Sequence, residues 1–388
     1  MPRAALSIAI SLAVLAVPGA RAASPHLDPS LMLHGCSSCH AGHGVSGSPM
    51  LRAPEMEVCL RCHGSQAGVQ QLVAAGELSA SARPPLLDSA LAQPYVHPID
   101  AQAVSRYQVG KVTCTSCHAP HRGLPPAAVQ SAGTRKISPL RRDRFEFELC
   151  ESCHGGAGAA TLSLSDISRL LSPENRSFHP VEAPASERSP SVPAGLQGQY
   201  VNCTDCHGNA DPGGPRGPHG SSVPFLLRSQ YVTTDGNPET ADAYALCYGC
   251  HNRQQVLAKA SPFKEHKKHV VEEGTSCATC HNPHGSVGNR ALIRFGEETS
   301  IAGVSPSASG RLEFISNGPG SGACYLRCHG KNHDPEAYGA MAQMARVQLQ
   351  HRLDPTRLAG PKKLESKPHQ RNTSSGAAGG RRVVIHPD

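Results

Sequence analysis

Sixteen cysteines fall into eight pairs along this chain, and every pair is followed at once by a histidine. The first four are Cys36-Ser-Ser-Cys39-His40, Cys59-Leu-Arg-Cys62-His63, Cys114-Thr-Ser-Cys117-His118 and Cys150-Glu-Ser-Cys153-His154. The next three are Cys203-Thr-Asp-Cys206-His207, Cys247-Tyr-Gly-Cys250-His251 and Cys277-Ala-Thr-Cys280-His281. The last, Cys324-Tyr-Leu-Arg-Cys328-His329, has one more residue between its cysteines. No cysteine is left over. A disulfide framework or a zinc ribbon gives no reason for a histidine behind every pair.

The spacing suits another chemistry. Two thiols add to the two vinyl groups of haem as thioethers, and the adjacent imidazole coordinates the iron from the same face. Eight motifs then imply eight covalently bound c-type haems, with iron, and assign all sixteen cysteines to attachment. The iron ligands on the motif side are His40, His63, His118, His154, His207, His251, His281 and His329. Composition agrees. The chain is 38% hydrophobic and 4% aromatic, has no Trp, and carries 38 Gly and 33 Pro, which is little material for a side-chain core. Large flat apolar cofactors fixed to the chain would supply the missing core, as metals and disulfides do in small proteins. The expected fold is mostly irregular, loops with short α-helices and little or no β, wrapped around the haems.

The motifs alternate in kind. Odd ones are followed by a further histidine (His43, His121, His219, His284) and preceded by another (His26, His97, His179, His269). Even ones end short segments that read as helical, such as RFEFELCESCHGG and ADAYALCYGCHN. Between the members recurs an aliphatic-Arg pair: Leu51-Arg52, Leu140-Arg141, Leu227-Arg228 and Ile293-Arg294. Either the guanidinium meets a haem propionate, or the pair is a packing side chain beside a solvated one. The unit repeats four times, and its internal span grows from 23 residues (Cys36 to Cys59) to 47 (Cys277 to Cys324). The expected organisation is a signal peptide at 1–22, dihaem repeats at 23–75, 76–165, 166–260 and 261–334, and a C-terminal part at 335–388. That last part reads as one amphipathic helix within 335–353 and a basic, Gly/Ser-rich tail.

His284 lies three residues behind His281, a reach of about 10 Å at most. The chain would have to round the edge of a macrocycle to which it is tethered, and Pro283 turns it away. Such a histidine should therefore ligate a different haem. Of 22 histidines, eight belong to motifs. The eight distal candidates are His26, His43, His97, His121, His179, His219, His269 and His284, two per repeat for two haems per repeat. His34, His266 and His333 compete for places at the first and last haems, and His351, His369 and His386 fall outside the pattern.

The segments CHAPH (117–121), HVVEEGTSCATCHNPHGS (269–286) and GACYLRCHGKNH resemble multihaem c-type cytochromes with doubled CXXCH motifs, distantly similar to class III cytochromes. The resemblance spans roughly 24–334. It implies bis-His haems in close pairs, little regular secondary structure, and electron transfer in the periplasm or at the cell surface. It also implies redox-protein partners: a quinol-side donor and outer-membrane or extracellular acceptor cytochromes. Two alternatives stay open. One is a multihaem reductase of nitrite, hydroxylamine or a sulfur oxyanion with one open haem; the other is a subunit of an extracellular cytochrome filament.

An apolar run from Ala4 to Val17 behind Arg3, then Ala20-Arg21-Ala22, reads as a secretory signal. It is shorter than the roughly 20 residues that span a bilayer, and no later run is long enough to cross one. The net charge of +7 loses Arg3 and Arg21 on cleavage, and it is not clustered with aromatics, so nucleic-acid binding is not expected. Two propionates per haem against one ferric charge take a loaded protein to roughly −3 oxidised and about −11 reduced. The basic tail then faces an acidic haem-bearing body and is suited to docking an acidic partner or the envelope surface. Deleting residues 355–388 should weaken partner binding and flatten its salt dependence, read by titration at two ionic strengths.

Overall fold

The computed structural model describes residues 24–42, 50–99, 102–104, 109–121, 145–185, 188–298 and 300–353. Local structure follows the cysteine pairs. Three odd motifs are single helical turns, Cys114–Cys117, Cys203–Cys206 and Cys277–Cys280, and the first overlaps the tighter turn Gly35–Ser38. One turn is enough to put residues i and i+3, the two thiols, on one face. Each turn is fastened at its start. The Thr113 amide donates to Ser116 Oγ (2.9 Å), that of Asn202 to Asp205 Oδ2 (2.8 Å), and Ser276 Oγ accepts from the Ala278 amide (3.1 Å). The motif histidines His118, His207 and His281 then leave the turn in extended backbone. Three of the four even motifs follow the helical expectation: Glu55–His63 and Glu146–His154 end on the motif histidine, and Ala245–Tyr248 enters the sixth motif.

Acidic side chains stitch one repeat to the next. The Glu55 carboxylate accepts from the Thr115 amide (2.6 Å) and hydroxyl (2.9 Å), and Glu146 repeats this with Thr204 (2.7 and 2.9 Å). In each case an acid on the helix of an even motif grips the turn of the following odd motif. Asp235 serves the fourth repeat, its Oδ1 accepting from the Ser276 amide (2.7 Å) and the Thr279 hydroxyl (2.6 Å).

Apolar packing is sparse and borders the thiols. One cluster gathers Met32, Val69, Leu72, Leu78 and Ala82 with Cys62 at its margin. Another gathers Phe295, Ile301 and Leu326, flanked by Cys280, Cys324 and Cys328.

The C-terminal part carries more β structure than the sequence suggests. Strands Val304–Ser305, Glu313–Ser316 and Lys331–Tyr338 all pair antiparallel with Gly322–Cys328, forming a four-stranded sheet. The longer cysteine spacer is compatible with a strand. Along a strand, residues i and i+4 share a face whereas i and i+3 oppose, so Cys324 and Cys328 can stand together only because three residues separate them. The expected helix of 335–353 is correspondingly shorter. Residues 335–338 belong to the last strand, Gly339 turns the chain at φ 64°, and the helix runs Ala340–Leu353. The chain divides into two compact units, Met1–Ala342 and Gln343–Asp388; the described part of the second is the remainder of this helix.

Replacing Glu146 by Ala leaves the Thr204 amide and hydroxyl without this acceptor. The cost should be about 2 kcal/mol, visible as a lowered midpoint in a thermal melt of the haem-loaded protein.

Candidate haem sites

The first, fifth and seventh motifs are each held by the loop that carries the aliphatic-Arg pair. Leu51, Leu227 and Ile293 make backbone bridges to His40, His207 and His281. The next residue's amide donates to the second motif cysteine: Arg52 to Cys39 O (3.0 Å), Arg228 to Cys206 O (2.9 Å), Arg294 to Cys280 O (3.0 Å). The guanidinium then reaches the carbonyl of the first spacer residue, at 3.3 Å on Ser37, 3.4 Å on Thr204 and 2.7 Å on Ala278. These arginines therefore cap the open carbonyl end of the motif turn, a use of the pair that neither sequence reading contained. Leu140-Arg141 lies outside the described residues.

The same loop orients the imidazole. His40 Nδ1 donates to Met50 O (3.2 Å), His207 Nδ1 to Phe225 O (2.9 Å) and His281 Nδ1 to Ala291 O (2.7 Å). To present these carbonyls the loop adopts left-handed backbone at non-glycine residues: Met50 (φ 55°), Phe225 (61°), Leu226 (57°), Ala291 (55°) and Leu292 (58°). Such strain persists only where surrounding bonds over-determine it. Here Ser221 Oγ and Ser286 Oγ, both buried, donate to Leu227 O (2.6 Å) and Ile293 O (2.8 Å). With Nδ1 protonated and engaged, Nε2 is left as the free donor.

Eight imidazole pairs stand 5.9–6.4 Å apart, centroid to centroid: His40–His121, His63–His26, His118–His219, His154–His97, His207–His284, His251–His179, His281–His266 and His269–His333. Two metal–nitrogen bonds of about 2 Å, plus the ring radii, place a pair of coordinating imidazoles about 6 Å apart. Rings in direct contact would be closer. The separation fits one iron between each pair.

The pairing follows a rule that spacing alone does not reveal. The histidine behind an odd motif serves the odd motif one repeat earlier: His121 faces His40, His219 faces His118, and His284 faces His207. The histidine ahead of an odd motif faces the even motif of its own repeat: His26 with His63, His97 with His154, His179 with His251. Both arrive on short two-stranded ribbons between repeats. Tyr95–Val96 pairs with Gly220–Ser221, and Ser177–Phe178 with Gly285–Ser286. The amides of His97 and His179 donate to His219 O (3.3 Å) and His284 O (3.1 Å). His26 Nδ1 donates to Pro120 O (3.1 Å), and His179 Nδ1 bonds the corresponding Pro283 carbonyl.

The rings of the fourth repeat pair differently. His266, a competitor to His269 in the sequence, stands beside His281 instead, and His269 faces His333. Both sit on or next to a wide π-helical turn, Lys267–Glu272, a local geometry common at functional sites. His34 sits exposed at the start of the Gly35–Ser38 turn with no ring partner among the described residues. His43 lies outside them.

Eleven of the paired rings are pushed toward the neutral form that ligation needs. Burial, then the neighbouring His118, pushes His219 down to about 4. Burial and His207 do the same for His284, also to about 4. His251 and His266 are likewise driven to about 4 by burial, then by His179 and His281 respectively. His26, His97, His118, His154, His179, His281 and His333 are lowered too, burial being the first cause in each.

All sixteen cysteines are free of disulfides, and neighbouring pairs sense one another. Cys59 is raised and Cys114 lowered, to about 7, first by the hydrogen bond they share; Cys150 is raised, first by its hydrogen bond with Cys203. Burial raises Cys62, Cys117, Cys206, Cys277 and Cys280, and nearby thiols add to it: Cys39 beside Cys62, Cys153 beside Cys117, Cys250 beside Cys206, Cys247 beside Cys277, and Cys324 with Cys328 beside Cys280. As thioethers these sulfurs do not titrate; what carries over is that consecutive motifs along the chain are neighbours in space.

Thiol pairs on one face and an imidazole pair one iron apart fit covalent haem, and they recur along one polypeptide. The chain belongs to the multihaem c-type cytochromes. Residues 106–292 match the family of outer membrane cytochrome MtrC/MtrF-like domains II/IV, and residues 32–68 match the doubled CXXCH motif family. No curated protein and no solved structure gives a significant match.

Gly285 follows His284 in its ribbon, where a Cβ would collide with the Leu170 carbonyl. Gly285→Ala should cost roughly 1–3 kcal/mol and draw His284 away from His207. One haem should then become five-coordinate, seen as new carbon monoxide binding in the reduced difference spectrum.

Proposed function

We propose that the protein is an octahaem electron conduit, with its haems strung in sequence order and each iron closed by two imidazoles. The observation that carries this is the set of eight imidazole pairs at iron spacing. Haem supplies a one-electron Fe(III)/Fe(II) couple. The chain's own residues supply the rest. Thiols of consecutive motifs lie side by side through all four repeats, so the eight attachment points form a continuous file. The second imidazole at each place leaves no open position for a substrate. Nδ1–carbonyl bonds make the ligands more basic, which with nitrogenous ligation favours low potentials.

The proposed ligand assignments are the pairs given above. His43, the eighth of the distal candidates read from the sequence, lies outside the described residues, and His266 takes the remaining place in the proposed set. The reductase alternative loses support from this arrangement, since it requires one five-coordinate haem. The dihaem repeats 23–75, 76–165, 166–260 and 261–334 are proposed as the modules of the file, interlocked by borrowed ligands.

An exported location, in the periplasm or at the cell surface, is supported by the leader-like residues 1–22 and by the printed description of the matched family as outer membrane cytochromes. Among the described residues no helix is long and apolar enough to cross a membrane. Partners would be redox proteins on either side of the file, a quinol-side donor and an outer-membrane or extracellular acceptor, in anaerobic or extracellular respiration.

The intact mass of the mature protein should show eight haems. The ferric protein should give only low-spin electron paramagnetic resonance signals, and the reduced protein should not bind carbon monoxide. A high-spin ferric signal, or a spectral change on adding nitrite, would favour the reductase reading instead.

A further inference from the structure

Seven of the eight imidazole pairs contain the histidine of a cysteine motif; the pair His269–His333, at 6.4 Å, does not. The motif histidine missing from the set is His329. With Gly330 it forms the two-residue turn of the hairpin joining Gly322–Cys328 to Lys331–Tyr338. Both turn residues have positive φ, 48° and 74°, the requirement of the tight turn that suits a right-twisted hairpin. Its Nε2, the nitrogen left free in the odd-motif histidines described above, lies 3.0 Å from Asp235 Oδ2. The other oxygen of that carboxylate already holds the turn of the seventh motif through Ser276 and Thr279.

The hairpin register shows what stands in its place. Lys331 lies opposite Cys328, His333 opposite Leu326 and Glu336 opposite Cys324. Directly opposed residues of an antiparallel pair share a face, and alternate residues along a strand share it too. Cys324, Leu326, Cys328 and His333 are therefore on one side of the sheet, with His333 across from the residue midway between the thiols. His329, next to Cys328 in sequence, belongs to the turn.

The same chemistry meets different backbone here. In a helical motif the chain leaves the turn beneath the attachment face, so the next residue brings the imidazole to the iron. In a strand the next residue points the other way, and the same-face imidazole comes from the neighbouring strand. We propose that the haem attached through Cys324 and Cys328 is ligated by His333 and His269, and that His329 is a positioning residue that pins the hairpin turn to Asp235. This rests on the octahaem reading.

The intact mass of the wild-type protein separates the two ideas. Seven haems, with Cys324 and Cys328 still free thiols, would sink the octahaem reading and this site with it. Given eight, His333→Met should convert one haem to His/Met ligation. The readouts are a far-red ferric methionine–iron band and one couple moved to higher potential. His329→Met should show neither. In parallel, His333→Ala should take carbon monoxide binding from none to one haem per protein, with the haem count kept at eight. The proposal is overturned if the methionine signature follows His329→Met, or if His333→Ala retains eight haems and stays inert to carbon monoxide.

Discussion

A histidine that donates Nδ1–H to a backbone carbonyl has one nitrogen left to offer a metal, and much of this structure serves that constraint. The acceptor must be a carbonyl aimed along the ring, and in three repeats it is supplied by a loop bent through left-handed residues. Arg52, Arg228 and Arg294 tie that loop to the motif turn, and in two repeats a buried serine ties its other side. Motif, loop and ribbon thus form one hydrogen-bonded unit whose apolar content is small. The unit needs no large side-chain core because its purpose is to fix a ring.

On the proposed assignment, distal ligands borrowed from the next repeat would turn four similar units into one connected body. His121, His219 and His284 each stand opposite a motif histidine of the repeat before their own. The carboxylates of Glu55 and Glu146 cross the same junctions in the opposite direction, each reaching into the following repeat. A chain built this way cannot lose one repeat without opening a site in another, and it brings successive attachment points together. The fourth repeat departs from the rule through His266, a π-helical turn and a β-sheet.

The cysteine pairs, their helical turns and the number of spare histidines are all legible in the sequence, because thioether spacing and helix periodicity are local. That His284 should pair with a ring other than that of His281 is legible too, since three residues cannot round a macrocycle. Which haem it serves is not. His284 and His207 are far apart in the chain, and only the ribbon of Ser177–Phe178 with Gly285–Ser286 sets their approach. The aliphatic-Arg pair was visible as a repeat, yet its role was hidden, because the carbonyls it caps exist only once the motif has formed a turn. The β-sheet could have been suspected from the extra residue between Cys324 and Cys328, the one place where the spacing fits a strand face.

By itself the sequence determined the chemistry: sixteen thiols and a supply of imidazoles in proportions that admit covalent haem and exclude a disulfide scaffold. This follows because attachment depends on residues adjacent in the chain. Tertiary structure alone decided the partner of each imidazole and the place of His329 in a hairpin turn away from the other rings. Those outcomes depend on which strands pair and which faces meet, and residue spacing carries no record of either.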